Sequence, residues 1–239
     1  MNLLELTLPT PAENLALDEA LLEAAEAGET AADLLRLWEL PQTAVIVGRS
    51  TRVNEEVNLD AAQLAQVPIV RRASGGAAIA AGPGCLMYSV LLRYEGREYL
   101  RKLDEVHRDV LGRIRTALSS HFEGIEHRGT SDLAVGDRKF SGNSLRCRRD
   151  HLLYHGTILY NYDLALIAHL LKTPPRQPIY RHHRPHSDFV TNLPISQSTL
   201  RSAFITAFGA VQTMNDWPKA QTDHLLLTRY SQAAWNFSR

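Results

Sequence analysis

The sequence predicts an α+β fold, one mixed β-sheet flanked by helices, and three observations predict it. Short apolar, β-branched runs such as TAVIVG at 43–48 recur between glycine and proline residues, as strands do. Between them lie segments whose apolar residues return at three- and four-residue steps, as Leu103, Val106, Val110, Ile114 and Leu118 do. No internal repeat or low-complexity linker divides the chain. Its 239 residues can bury a full core and read as a single domain, 1–239.

Composition narrows the function classes. Hydrophobic content of 44% and charged content of 22% are ordinary for a globular chain, so the charge balance has to discriminate. With 26 basic and 26 acidic residues the formal net charge is zero, which argues against a broad nucleic-acid footprint and predicts no nucleic-acid partner. No apolar run approaches the roughly 20 residues of a membrane helix. The opening MNLLELTLPTPAEN has neither the basic start nor the long apolar stretch of a secretory signal. The two cysteines, Cys85 and Cys147, lack paired metal-ligand spacing, and RHHRPH at 181–186 lacks a zinc pattern. These features predict a protein of the reducing cytoplasm with no membrane contact and no metal site of its own.

Taken in order, Thr10, Pro11 and Glu13 form a capping box with proline at the first helical position. The helix they start places Leu17, Leu21 and Ala24 on one face and should stop near Gly28. Its acidic residues Asp18, Glu19, Glu23 and Glu26 are expected on a solvated face. Residues 34–39 and 43–48 read as strands around Pro41, 58–66 as a short helix, and the run from Pro68 as another strand. Gly48, Arg49 and Ser50 offer a loop that would suit an anion. Residues 85–93 read as a buried strand and 103–118 as the long amphipathic helix. His107 and His121 are expected there as surface or partly packed groups.

Strands over 131–135 and 139–141 join through Gly136 and Asp137, a hairpin turn with glycine first. Residues 144–150 read as a polar, basic connection, 152–160 as an apolar strand and 163–171 as a short helix. The proline- and histidine-rich segment 173–194 reads as an irregular surface loop. Helices over 198–211 and 223–235 close the chain.

Chemistry concentrates in PIVRRASGGAAIAAGPGCLMYSV, 68–90, where a short strand delivers Arg71 and Arg72 into a turn of Ser74, Gly75 and Gly76. Glycines bring backbone N–H groups close to a ligand, and adjacent arginines add fixed positive charge. Together they suit a phosphate or a carboxylate. A second stretch, GTSDLAVGDRKFSGNSLRCRRDHLLYHGTIL at 129–159, carries Asp132, Lys139, Gly142, Asn143, Ser144, His155 and Gly156.

The two stretches together resemble the catalytic domain of the lipoate–protein ligase A family, relatives of the biotin ligases. The family pattern is an arginine pair leading into S-G-G-G, an aspartate shortly before G-R-K-x-S-G-x-A, then an H-G-T ahead of a strand. Here those read Arg71 to Gly76, Asp132, Asp137 to Ser144, and His155 to Thr157. ENLALDEALL at 13–22, LLRLWEL at 34–40, Glu56 to Asn58 and RYSQAAWNFS at 229–238 also resemble that family.

The resemblance implies a biotin/lipoate ligase-like fold and an enzyme that joins a lipoyl or octanoyl carboxylate to ATP, with Mg²⁺. The acyl group then passes to a lysine on a lipoyl carrier domain, either of a 2-oxoacid dehydrogenase acyltransferase subunit or of the glycine cleavage H protein. By the same resemblance Lys139 contacts both the acyl carboxylate and the α-phosphate. Arg71, Arg72, Ser74, Gly75, Gly76 and Ala77 would bind the acyl-adenylate from the other side. Gly142, Asn143, Ser144, His155 and Gly156 would line the acyl slot. Asp132 would orient the carrier amine and accept its proton, or help hold Mg²⁺. Arg146, Arg148 and Arg149 would meet an acidic carrier. Full-length ligases of the family carry a small accessory domain beyond the point where this sequence reaches Arg239. That C-terminal accessory domain is expected to be absent, with a separate subunit supplying its function.

Against the family's S-G-G-G-A-V-x-H-D-x-G-N, four departures in the glycine turn matter. Ala77 stands for the third glycine, Ala81 for the histidine, Gly82 for the aspartate and Cys85 for the asparagine. Ala77 is expected to set a methyl against a phosphate or to adopt positive φ at roughly 1–2 kcal/mol. The other changes are expected to remove polar groups near the acyl head or nucleotide. A second reading follows, an ATP-independent octanoyl or lipoyl transferase with a thioester on Cys85 or Cys147. A third is a non-catalytic module that binds the acyl group or the carrier.

Overall fold

The computed structural model describes residues 1–29 and 33–239. Strand β1 (Asn2–Glu5) leads into helix α1 (Pro11–Glu26), where Thr10 and Glu13 exchange the two hydrogen bonds of the expected capping box. Strands β2 (Leu34–Trp38) and β3 (Ala44–Val47) follow, then the single turn α2 (Val53–Glu56) and α3 (Leu59–Leu64), capped by Asn58. Strands β4 (Ile69–Arg71), β5 (Ile79–Ala81) and β6 (Cys85–Arg93) carry the chain through the glycine turn. Helix α4 (Leu103–Ser119) buries Val106, Val110, Ile114 and Leu118 and leaves Leu103 exposed in its first turn.

Strands β7 (Ile125–Arg128), β8 (Asp132–Val135), β9 (Arg138–Cys147) and β10 (His151–Leu159) are successive antiparallel neighbours. Helices α5 (Leu164–Leu170), α6 (His186–Phe189) and α7 (Gln197–Phe208), strand β11 (Gln212–Thr213), and helices α8 (Lys219–Leu225) and α9 (Ala233–Asn236) complete the chain.

Eight strands form one mixed sheet in the order β11-β1-β2-β6-β10-β9-β8-β7. β1 runs parallel to β11 and β2, and the other neighbours are antiparallel. A second sheet, β4-β3-β5, pairs β3 parallel to β4 and antiparallel to β5. Leu86, Tyr88, Val90 and Leu92 of β6 pack with Val110 and Ile114 of α4 and Phe204 of α7. The alternate residues Cys85, Met87 and Leu91 face α1 and the small sheet. Burial on both faces explains why β6 reads as an unbroken apolar run. This is the α+β arrangement expected, and the space between the two sheets holds the site.

Several local expectations are revised. Asp18 and Glu19 are each only 2% exposed, not solvated. Asp18 pairs with the fully buried Arg36 at 2.6 Å, and Glu19 accepts from Arg229 at 2.7 Å and Tyr230 at 2.8 Å. Glu26 accepts from the backbone N–H groups of Asp150 and His151. Each partner lies on another element, which helix periodicity alone does not encode. Residues 144–147 continue β9, because Leu145, Arg146 and Cys147 pair with Tyr154, Leu153 and Leu152.

His155, Gly156 and Thr157 sit inside β10, within the strand expected over 152–160. The segment 173–194 is more than a surface loop, since it buries Arg181 and Phe189. The helix expected over 223–235 is interrupted by the wider turn Leu226–Tyr230. His107 is packed, with Nδ1 2.9 Å from the Tyr154 hydroxyl. Among the described residues no helix is long and apolar enough to cross a membrane.

Candidate active site

The β8–β9 hairpin carries a bulge that decides where Lys139 points. Leu133 pairs with Ser141 and Ala134 with Lys139, so Phe140 is an extra residue. In an unbroken ladder Lys139 would project from the face opposite Asp132, because side chains alternate. With the bulge both share one face, Lys139 Nζ lies 2.7 Å from Asp132 Oδ1, and Phe140 turns into the core. Gly142, the register partner of Asp132, makes room: a Cβ there would stand 2.9 Å from Lys139 Nζ. The Tyr180 hydroxyl, from the proline-rich segment, donates to Asp132 Oδ2 at 2.8 Å. Thr191 N–H donates to Lys139 O at 2.9 Å and fixes the strand's main chain.

Facing this hairpin is the glycine turn, which Arg72 holds together from within. Its Nε donates to Ser74 Oγ and Gly75 O, each at 3.1 Å, and Nη1 donates to Ile46 O at 3.3 Å. Nη2 donates to Gly75 O at 2.7 Å and Ala77 O at 2.9 Å. Burial pulls the Arg72 guanidinium down to about 10, opposed by the nearby Glu56 carboxylate. Ser144 Oγ adds a bond to Gly75 O at 3.0 Å. Gly76 takes φ +91°, while the φ of Ala77 is not in the left-handed region, so the strain expected there is not incurred.

The 48–50 loop supports the turn: Arg49 N–H donates to Ser74 O at 2.8 Å, and a Cβ on Gly48 would meet Gly76 O at 1.9 Å. The N–H groups of Gly75, Gly76 and Ala77 donate to no protein acceptor among the described residues. Such a run of undonated amides makes an anion-binding concavity.

Behind the turn, Ser74 Oγ lies 2.5 Å from His155 Nε2, and His155 Nδ1 lies 3.9 Å from Asp18 Oδ2. Asp18 also accepts from Arg36 at 2.6 Å and Ser89 at 2.7 Å. Burial by itself would raise the Asp18 pKa. The Arg36 charge, His155 and Ser89 outweigh it and hold the carboxyl below its ordinary 3.8.

These walls enclose a cavity of about 400 Å³. Over β2 and β6 its lining is mostly apolar, Leu15, Trp38, Ile46, Ile79 and Met87, with Asp18 and Ser89 among them; over β9 and β8 it meets Ser144, Lys139 and Asp132. His155 lies between the two ends. Arg176, Gln177 and Pro178 of the proline-rich segment complete the lining. The arrangement takes an apolar chain at one end and gathers positive charge and donors at the other.

Of the residues singled out from sequence, Lys139, Asp132, Arg72, Gly76, Ala77, Gly142, Asn143, Ser144, His155 and Gly156 line this cavity. Ser74 and Gly75 shape the turn from behind. Asn143 is engaged in structure, accepting from the Tyr88 hydroxyl at 2.5 Å and donating to Ser131 O at 2.7 Å. Gly156 makes room for it, since a Cβ there would stand 1.7 Å from Asn143 Oδ1.

Arg71 does not belong to the lining. It is fully buried and donates to the carbonyls of Gly48, Thr51, Trp235 and Asn236, which ties the start of the turn to α9. Neither cysteine lines the cavity. Cys85 is fully buried beneath the small sheet, where burial and then Glu39 push its thiol up to about 12. Cys147 is exposed, eight residues along β9 from Lys139, about 25 Å of extended strand away. Ala81 and Gly82 also lie off the cavity; a Cβ on Gly82 would press on Thr43 Cα at 2.9 Å, so no larger residue fits.

Arg146 donates to Ala73 O at 3.2 Å, and Arg148 pairs with Glu23 at 3.2 Å. Sequence reasoning missed Leu15, Trp38, Met87, Asp18, Tyr180 and Arg176. Asp18 did carry a signal, since it sits on the same helical stripe as Leu15, Leu21 and Leu22. Among the described residues no three His, Cys, Asp or Glu side chains gather as a metal site.

Residues 10–208 match the lipoyl protein ligase A/B catalytic domain family. The chain belongs to that family. It is 37% identical over 173 residues to an Aeropyrum pernix protein described as a lipoate-protein ligase A, covering 71% of this chain but only 61% of the relative's length. A LipM octanoyltransferase from Brevibacillus brevis is 25% identical over 96% of each chain.

Two solved structures share the lipoyl ligase fold. One is a chain from a structural study of the bi-partite lipoate protein ligase of Thermoplasma acidophilum and its E2 lipoyl domain. It has a TM-score of 0.83 and 22% identity over 99% of this chain and 95% of that one. The other is a lipoate-protein ligase A bound with ATP, with a TM-score of 0.79 and 23% identity over 99% and 98%.

Proposed function

We propose that the chain is an ATP-dependent lipoate–protein ligase catalytic domain, spanning 1–239, that attaches lipoyl or octanoyl groups to a lysine of a lipoyl carrier domain. The observation that carries this reading is the placement of Lys139 and the glycine turn on opposite walls of one cavity whose far end is mostly apolar. A carboxylate tail-first in that cavity brings its charged head to Lys139. In the first step a carboxylate oxygen attacks the α-phosphorus of ATP, and the bond to the β-phosphate bridging oxygen breaks. Pyrophosphate leaves and an acyl-adenylate remains. The nucleophile is already an anion, so the protein's task is to gather positive charge and donors.

Lys139 lies between the two reacting groups and the undonated N–H groups of 75–77 cradle phosphate oxygens. In the second step the carrier amine attacks the acyl carbon, AMP leaves, and Asp132 takes the amine proton. Asp132 already accepts from Lys139 and Tyr180, so Mg²⁺ arriving with ATP would take its ligands chiefly from phosphate and water oxygens.

The ATP-bound ligase of like fold supports ATP as co-substrate. The bi-partite archaeal ligase and its E2 lipoyl domain support a lipoyl-domain acceptor and an accessory polypeptide. Two free cysteines and a demand for ATP suit the cytoplasm. The octanoyltransferase relative favours the transferase reading, but neither cysteine is placed to carry a thioester in the cavity. The test is phosphate release from ATP, lipoate and pyrophosphatase with a lipoyl domain and any accessory partner present. Release that depends on lipoate supports the ligase, and none counts against it.

A further inference from the structure

We propose that Arg176 is a catalytic residue of the adenylation step, binding the β- and γ-phosphates that leave as pyrophosphate. The assignment rests on the ligase reading above and follows from where the cavity's other cations are spent. The arginine pair that the sequence offers for phosphate is committed to the chain itself. Arg71 is off the cavity, and the Nε, Nη1 and Nη2 groups of Arg72 all donate to the turn and to Ile46. Lys139 is paired with Asp132 and is needed at the α-phosphate. The cations lining the cavity are Arg72, Lys139 and Arg176, and among the described residues Arg176 makes no hydrogen bond or ion pair.

The segment also fixes its main chain beside the cavity, while the Arg176 side chain itself is exposed. Pro174, Pro175 and Pro178 flank it and restrict its backbone. Pro178 lies against Gly129, where φ is +56° and a Cβ would stand 3.2 Å from the proline ring. Tyr180 anchors the next turn on Asp132. Beside Arg176, Gln177 Oε1 is buried without a partner and lines the same cavity, an acceptor left for a nucleotide hydroxyl or amine. As the α–β bridging oxygen takes up the electron pair of the broken bond, negative charge grows on pyrophosphate. A guanidinium fork meets that charge bidentately.

The experiment compares wild type, Arg176→Ala and Arg176→Lys in three measurements. These are MgATP binding by calorimetry, lipoate-dependent ATP–pyrophosphate exchange, and transfer from synthetic lipoyl-adenylate to a lipoyl domain. Arg176→Ala is expected to weaken MgATP binding and to slow exchange by about 10- to 100-fold. Arg176→Lys should recover part of both, and transfer from the preformed adenylate should stay at the wild-type rate. Wild-type binding and exchange in Arg176→Ala overturn the assignment, as does an equal fall in exchange and transfer, which marks a structural role. A wild-type protein with no exchange overturns the ligase reading and this assignment with it.

Discussion

Lys139 Nζ and Asp132 Oδ1 lie 2.7 Å apart across a bulged hairpin, and only the bulge puts them on the same face of the sheet. Lys139→Met is expected to lower adenylate formation by at least about 100-fold, because among the described residues Lys139 carries the one ammonium in the cavity lining. Lys139 is half-buried and Asp132 buried, so the substitution leaves the Asp132 carboxylate with the Tyr180 hydroxyl as its partner and the melting temperature should fall by several degrees. Pyrophosphate exchange and a thermal melt check both halves.

Asp132→Asn separates the two steps. Adenylation draws on charge that Lys139 supplies, whereas transfer needs a group to accept the amine proton. Transfer from synthetic lipoyl-adenylate should fall about 10- to 100-fold while exchange falls much less. Single-turnover assays of each step give the ratio, and equal losses contradict the proposed role.

Buried Asp18 predicts a pH-dependent stability. Asp18→Asn leaves Arg36 buried without its counter-charge and should cost about 3–5 kcal/mol at neutral pH. The folded carboxyl sits below its ordinary 3.8. Its contribution is therefore present above the unfolded value near 4 and is lost as pH falls through the lower folded one. Denaturant melts should show the gap between wild type and variant closing below about pH 4, and a gap that widens there contradicts the account.

Gly48→Ala tests the support of the glycine turn without touching its sequence. The added Cβ would stand 1.9 Å from Gly76 O, so the turn must move. A loss of about 1–3 kcal/mol in stability is expected, together with weaker MgATP binding by calorimetry. Unchanged binding would detach the turn from the phosphates.

The double variant Cys85→Ala with Cys147→Ala should still modify a lipoyl domain. Intact mass after incubation reads this directly, and loss of modification would restore the thioester reading.

Much of this was legible in the sequence where the signal is local. The Thr10 capping box, the β6 run and the Lys139 and glycine-turn motifs needed no tertiary information. What was not legible depends on partners far along the chain. Asp18 and Glu19 look solvated until Arg36 and Arg229 are known to arrive from other elements. Arg71 and Arg72 look like free anion claws until the carbonyls of Trp235, Asn236 and the turn itself take their donors. The segment 173–194 has no periodicity, so nothing in it announced that Tyr180 and Arg176 would close the site. The buried strand expected over 85–93 already places Cys85 in the interior; the thioester alternative arises only from its neighbours in the turn.

The central claim is that one cavity joins an acyl carboxylate to ATP and hands the acyl group to a carrier lysine. The most direct test is the intact mass of a lipoyl domain incubated with the protein, any accessory partner and lipoate, with and without MgATP. A mass gain of one lipoyl amide that requires both MgATP and Lys139 is predicted. Modification without ATP from an acyl thioester, or an unmodified domain under every condition, would contradict it.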